Sequence, residues 1–505
     1  MSQSATHYSH SYLNLPRLCY QPSAPSHVSN PQWVAFNQTL ASELQLPESY
    51  WLTDAGLGLF SGNQLPDWCE SVAQAYAGHQ FGHFNPQLGD GRAHLLAELH
   101  DQQGQVYDLQ LKGSGRTPYS RSGDGRSPLG PVLREYLVSE FMHRMQVPTT
   151  RALAAVATGE SVSRESPEPG AILTRVASSH LRVGSLQYAM VRGDFDTLAA
   201  LADFAIERHY PELDSYGDED SSQCITKGDT GNRYLALLEA VAERQAKLIS
   251  QWMGLGFIHG VMNTDNTSVS GETIDYGPCA FMEAYQADKK FSFIDQQGRY
   301  AYNQQPSILH WNMARLAEAL LPLIDNDKRQ AVTLATATIE RLPQLIEAYW
   351  LSELGRKLGL HQAGREDKPL IEQFLAVLEQ GAIDFTLGFR MLTGEVSNHS
   401  HPHDIYQTNA QAFLEWRQAW QQRLQLEPVT LSQLSAQLNS VNPLYIPRNH
   451  LIQAVIDSAY SDGDLRPFIA LQQALSDPFT QRDGLEAFAT PAAADAQVTT
   501  TFCGT

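Results

Sequence analysis

A glycine-containing turn at Leu88–Gly91, two strand-like segments ending at Lys112, a helix carrying Glu135, and a long helical remainder holding Asp265-Asn266 and Asp275-Tyr276-Gly277 predict an α+β chain. Their order is that of a protein-kinase-like two-lobe fold, with an N-terminal extension before it and a helical C-terminal extension after it. The length agrees, because 505 residues exceed what one ordinary hydrophobic core serves. The expected divisions are an N-terminal extension over 1–86, a small lobe over 87–190, a large helical lobe over 191–488 with a catalytic loop at 259–277, and a flexible, low-complexity tail over 489–505.

The first 86 residues mix short helical patterns with proline-containing loops. His79 and His83 in AGHQFGHF have i, i+4 spacing that can hold a metal, but Gly78, Gly82 and Pro86 argue against a helix, so both are expected to be loop histidines that pack locally. LGDGRAHLLAEL reads as a turn followed by a strand. In VYDLQLKG, Tyr107, Leu109 and Leu111 alternate with Asp108, Gln110 and Lys112, the period of a half-buried strand. After a Gly/Ser/Arg-rich loop, Val132, Leu133, Tyr136, Leu137 and Phe141 follow helical spacing, and Pro131 suits the first turn. Ile172–Ala177 is an expected strand. Asp196–His209 and Asn232–Met253 are expected amphipathic helices, the second stopped at Gly254-Leu255-Gly256. The loop FIHGVMNTDN follows, then short β-type segments TSVS and TIDYG. Residues from Phe281 to about Phe488 read as mainly helical.

Composition excludes several classes. Hydrophobic residues at 42% and charged residues at 18% indicate a globular chain rather than a disordered one. A net charge of −20 repels phosphate backbones and anionic membranes, so neither nucleic acid nor a membrane is an expected partner. The longest apolar runs, such as Leu235–Ala242, are too short to span a bilayer, and Met1–His10 has no basic-then-apolar leader pattern, so the cytoplasm is the expected location. Five scattered cysteines with no C-x-x-C pair make neither a disulfide framework nor a zinc site.

The chemistry lies in an ordered set of residues. The backbone of a glycine turn can approach phosphates closely, which makes Gly89 and Gly91 candidates. Lys112 is a compact cation suited to phosphate oxygens, and Glu135 on the next helix can pair with it and hold it. Asp265-Asn266 ends the loop opened by Ile258-His259-Gly260, and Asp275 stands nine positions past Asn266. Asn266 and Asp275 offer hard oxygen ligands for Mg²⁺. Kinases place their base five positions before the metal-binding asparagine, and here that position is Val261, which cannot take a proton. Either the chain is a dead kinase or it performs different chemistry with Asp265.

YAGHQFGHF, LGDGRAHLL, QLKGSGRTPYSRSGDGR, SSHLRVGS, HGVMNTDN and TIDYGPC, spread along most of the chain, resemble the selenoprotein O family of kinase-like proteins, as does Cys503, third from the C-terminus. The resemblance implies protein adenylyltransferase activity: ATP binds flipped relative to active kinases, AMP passes to Ser, Thr or Tyr hydroxyls of target proteins, and pyrophosphate leaves. On this chain it implies a nucleotide site of Gly89, Gly91, Arg92, Lys112, Asp124, Gly125, Arg175, Arg182 and Asp275, with Glu135 steadying Lys112. Asn266 and Asp275 would hold Mg²⁺, and Asp265 would be the proton acceptor. Planar guanidinium groups suit the phosphates of a reversed nucleotide. Without the resemblance, Arg175 and Arg182 read as surface charge. UTP with Mn²⁺ is an alternative pair of substrate and metal. A redox-sensitive Cys279–Cys503 disulfide is also implied, with two separate thiols as the other reading. The rivals are a conventional phosphoryl-transferring kinase, which Val261 counts against, and a dead nucleotide-binding scaffold, which the retained Asn266 and Asp275 count against.

Overall fold

A computed structural model describes residues 8–214, 232–396 and 402–502. Its centre is a nine-stranded antiparallel sheet whose main path runs Tyr20–Pro22, Val72–Gln74, Ala93–His100, Val106–Lys112, Pro167–Ala177, Arg151–Ser163 and Gln32–Phe36. Strands from both sides of residue 86 share this sheet. The N-terminal segment also covers one of its faces, where Leu40, Leu44, Leu59 and Phe60 pack against Leu96, Leu109, Leu111 and Leu153.

The opposite face was expected to be solvated, and it is not. Asp108 and Gln110 are buried and Lys112 is nearly so. The alternation of the Val106–Lys112 strand therefore separates an apolar core from a buried ionic layer. Buried ions need partners, and the helices beyond the sheet supply them.

The Leu129–Arg144 helix lies between the sheet and the C-terminal helices Asn449–Ser461 and Arg466–Leu475. All five apolar residues that define its spacing are buried, and so are Arg134 and Glu135. Tyr136 meets Phe468 at 5.6 Å between ring centroids, and Gly130 N donates to Tyr460 Oη at 3.0 Å. The C-terminal extension thus braces the helix that carries Glu135.

The observed helices Phe195–His209 and Arg233–Leu255 agree with the expected ones. The Arg151–Ser163 strand and the Val183–Val191 helix were not expected. TSVS and TIDYG form only the isolated bridges Arg182↔Ser268 and Thr149↔Thr273, each held by a pair of backbone hydrogen bonds: Val183 N to Thr267 O and Val269 N to Leu181 O in the first, Thr150 N to Thr273 O and Thr273 N to Pro148 O in the second. His79 and His83 lie in a two-stranded hairpin, Gly78–Gln80 with His83–Asn85, rather than in a loop.

The end of the chain is not a loose tail as far as Phe502. Thr501 is buried, its N–H donates to Phe291 O at 2.8 Å, and Phe502 packs on Phe293. Cys503 lies outside the described residues, so the Cys279–Cys503 pairing is not addressed. Among the described residues no helix is long and apolar enough to cross a membrane.

Candidate active site

The loop expected to carry the chemistry is closed at its base. Asn232 caps the Arg233–Leu255 helix, its Oδ1 accepting from Tyr234 N at 2.9 Å and Leu235 N at 3.0 Å. Gly256 ends the helix at φ +65°, where Phe385 leaves no room for a side chain. Phe257–Ile258 then pairs antiparallel with Ala280–Phe281, so residues 259–279 form a loop pinned at its neck. His259 stitches the interior. Its Nε2 donates to Ile274 O at 2.8 Å and its Nδ1 accepts from Val261 N at 3.3 Å, which fixes one neutral tautomer. Burial lowers its pKa, in keeping with a structural, uncharged ring.

Asp275 leaves this loop at φ +65°, a conformation strained for a non-glycine residue. Three cations surround it. Lys112 Nζ lies 2.5 Å from Asp275 Oδ1 and 2.6 Å from Glu135 Oε2. Arg175 Nη2 lies 2.6 Å from Asp275 Oδ1 and 2.5 Å from Glu135 Oε1. Arg182 Nη1 is 3.5 Å from Asp275 Oδ2. Burial alone would raise the Asp275 carboxyl, but Lys112, Arg175 and Arg182 outweigh it and hold the group well below the carboxylate range. Glu135 is lowered in the same way, by Arg175 and Lys112 against burial. Arg175 and Arg182 are only 2% and 3% exposed, so the surface-charge reading fails.

Asp265 has the opposite environment. It is buried, its Oδ2 accepts from Gln80 Nε2 at 3.2 Å, and its Oδ1 has no hydrogen-bond partner among the described residues. Burial pushes its carboxyl up to about 6. Gly78 makes room for it, since a Cβ there would stand 2.5 Å from Oδ1. Its carbonyl is held by Arg182 Nη1 at 2.7 Å. The next residue, Asn266, donates from Nδ2 to Val261 O at 3.0 Å, which leaves its oxygen available.

The glycine turn sits beside this cluster. Gly89, at φ +94°, lies under the ring of Tyr119, and the turn's carbonyls are capped by the following loop: Thr117 Oγ1 donates to Asp90 O at 2.6 Å and Ser120 Oγ to Gly91 O. Arg92 is half-buried and makes no ion pair among the described residues. Asp124 and Gly125 are not joined to the cluster by contact. Asp124 pairs with Arg164 at 2.8 Å, and Gly125, at φ +72°, lets its loop cross Gly115. Sequence reasoning missed Asp90, between the two glycines. It is 2% exposed, accepts from Gln110 Nε2 at 3.2 Å and lies 3.6 Å from Arg182 Nη2. An aspartate inside a glycine turn was the available signal.

Lys112, Arg175 and Arg182 face Asp90, Glu135, Asp265 and Asp275, so the cluster carries one excess negative charge. No set of three or more His, Cys, Asp or Glu side chains among the described residues forms a ready-made metal cage. The hard oxygens of Asn266 and Asp275, beside the unsatisfied Asp265 Oδ1, nevertheless fit a cation that takes its remaining ligands from phosphate and water. Buried cations, carboxylates and a glycine turn in one place are the groups that phosphate-transfer chemistry uses.

The family follows from comparison. The family model described as "Protein adenylyltransferase SelO" matches residues 3–476, and the chain belongs to that family. It is 47% identical to a protein of Rhizobium johnstonii over 99% of this chain and 97% of that one. Identity is also 47% to proteins of Rhizobium meliloti, over 99% of this chain and 100% of the other, and of Rhodopseudomonas palustris, over 99% of both. All three are named "Protein nucleotidyltransferase YdiU".

Proposed function

We propose that the chain is a protein adenylyltransferase that passes AMP from ATP to Ser, Thr or Tyr hydroxyls of target proteins and releases pyrophosphate. The observation that carries this reading is Asp265, a buried carboxylate with one unsatisfied oxygen, beside a Lys112–Glu135–Asp275 cluster, while the kinase base position holds Val261. The fold is read as kinase-like. Its small lobe is 87–190, to which residues 1–86 add strands. Its large lobe is 191–488, and residues 489–502 pack against it. The cytoplasm is the proposed location.

Lys112, Arg175 and Arg182 hold the triphosphate oxygens, exchanging part of their present carboxylate contacts for phosphate, with Arg92 and the Gly89–Gly91 turn beside them. Glu135 keeps Lys112 and Arg175 oriented from the other side. Asp124 and Gly125 shape the loop that covers the glycine turn. Mg²⁺, or Mn²⁺ with UTP as substrate, would be held by Asn266 and Asp275 and would neutralise charge developing on the phosphates. Asp265, with its carboxyl at about 6, is mostly ionised near pH 7 and accepts the target hydroxyl's proton. The hydroxyl oxygen then bonds to the α-phosphorus, the bond from the α-phosphorus to the bridging oxygen breaks, and pyrophosphate carries that electron pair away.

The test uses ATP labelled at the α- or the γ-phosphate. Label from the α-position is expected in protein, with intact-mass shifts equal to AMP. Transfer of the γ-label alone makes the chain a kinase, and transfer of neither makes it a scaffold.

A further inference from the structure

A second set of side chains lies against the catalytic loop and takes no part in the cluster above. The Gly78–Gln80 and His83–Asn85 hairpin is fastened to that loop: His79 N donates to Thr264 Oγ1 at 2.7 Å, Phe81 N to Asn263 Oδ1 at 3.1 Å, and Gln80 Nε2 to Asp265. Neighbouring residues of a strand face opposite sides. Gln80 faces Asp265, and His79 faces Trp311, with ring centroids 5.0 Å apart. The hairpin is therefore a partition between the proton acceptor and a second surface.

That surface is cationic and aromatic. The guanidinium carbons of Arg299 and Arg315 stand 4.9 Å and 5.0 Å from the Trp311 ring centroid. Arg299 has no carboxylate partner among the described residues. Arg315 has one, the exposed Glu318 at 2.6 Å. The Nε of each arginine is buried without a hydrogen-bond partner. Phe84, 4.7 Å from His79 between ring centroids, is 40% exposed. Stacking on an indole occupies a guanidinium's face and leaves its N–H edge for a carboxylate. On a chain of net charge −20, an under-neutralised arginine pair across the hairpin from Asp265 is a local reversal of sign.

We propose that the Trp311–Arg299–Arg315 surface binds acidic residues flanking the target hydroxyl, so that the enzyme selects hydroxyls within acidic segments of its target proteins. The proposal rests on the adenylyltransferase reading of Asp265. An extended segment advances about 3.3 Å per residue, so an acidic residue three to five positions from the hydroxyl stands about 10 to 16 Å from it, and the test falls within that range.

The test is binding first and transfer second. Two fluorescein-labelled peptides carry a central serine, one with glutamates three and four positions away on both sides, the other with glutamines there. The wild type is expected to bind the glutamate peptide about fivefold to tenfold more tightly, the size that two partly exposed ion pairs supply. Arg299→Glu with Arg315→Glu is expected to abolish or reverse that preference while ATP affinity stays unchanged. Arg299→Gln alone, which removes the charge with less disturbance, is expected to reduce the preference, so the question is still answered if the double variant does not fold. Equal binding by the wild type, a preference that survives loss of the charges, or stronger competition by oligothymidylate than by the glutamate peptide overturns the proposal. Transfer from α-labelled ATP separates the two readings. A binding preference with no labelling of either peptide removes the transferase reading and leaves the surface, whereas equal labelling removes the surface and leaves the transferase.

Discussion

One face of the Val106–Lys112 strand carries Asp108 near its middle and Lys112 at its end, and each belongs to a buried ionic cluster. Around Asp108 every carboxylate oxygen is engaged. Arg208 bridges Glu98 at 3.0 Å and Asp108 at 2.9 Å, Ser9 and Ser11 donate to Glu98, and the N–H of His180 donates to Asp108 at 2.8 Å. Among the described residues its one loose end is His180 Nε2. Burial would raise Glu98, but Arg208, Ser11 and Ser9 overcome it and bring the carboxyl down to about 2. Around Lys112, three cations crowd onto Asp275 while Asp265 keeps an unsatisfied oxygen and rises to about 6. Burial raises the carboxyls of both clusters, and what separates Glu98 from Asp265 is the cation in direct contact with the side-chain carboxylate, Arg208 on Glu98 and none on Asp265. A fully satisfied cluster is inert structure, and an unevenly satisfied one can still accept a proton or a cation.

Removing charges from each cluster tests that distinction. The largest effect is expected from Asp275→Ala, which leaves Lys112, Arg175 and Arg182 without their shared partner. Transfer should fall to background and ATP affinity should weaken, both readable by titration calorimetry and α-label transfer. Asp265→Asn should slow transfer by about 10² to 10⁴ while ATP affinity holds. The wild-type rate should rise with pH through about 6, because the ionised carboxylate is the active form, and this limb should vanish in the variant. Stability has the opposite sign. Because the folded pKa of Asp265 is raised, its contribution is full below the ordinary aspartate range and is lost as pH rises to about 6, a slope the Asn variant should lack.

In the satisfied cluster, Arg208→Ala should cost about 3–5 kcal/mol by leaving Glu98 and Asp108 buried and unpaired. The molecules that remain folded should bind ATP normally, and a variant of ordinary stability in urea would make the cluster dispensable. The smallest effect on folding is expected from Lys112→Ala, because Arg175 still reaches both Glu135 and Asp275. Its unfolding midpoint should barely move while ATP affinity falls about tenfold to a hundredfold, the loss of one charge-assisted contact. Unchanged ATP affinity and rate would remove Lys112 from the site.

The legible parts of the chain were those written in local periodicity. The Val106–Lys112 strand, the Glu135 helix and the helices before the 259–277 loop all followed from spacing, while the pairing of Lys112 with Glu135 followed from their kinase-like order on a strand and the next helix. The Arg151–Ser163 strand escaped notice because its alanines and single glycine favour neither period strongly. The Val183–Val191 helix is short and buried, with no polar face to mark it.

The sequence by itself determined the order of these elements, the absence of a base at Val261 and the supply of oxygens at Asp265, Asn266 and Asp275, because identity and spacing along a chain are local properties. Only the tertiary structure decided that Arg175 and Arg182 are interior, that Asp90 joins them, that Asp124 pairs with Arg164, and that Asp265 rather than Asp275 keeps a raised pKa. Each of these depends on which charges from distant segments are brought within hydrogen-bonding distance in a poorly solvated interior, where a cation in contact decides whether a carboxylate is raised or lowered.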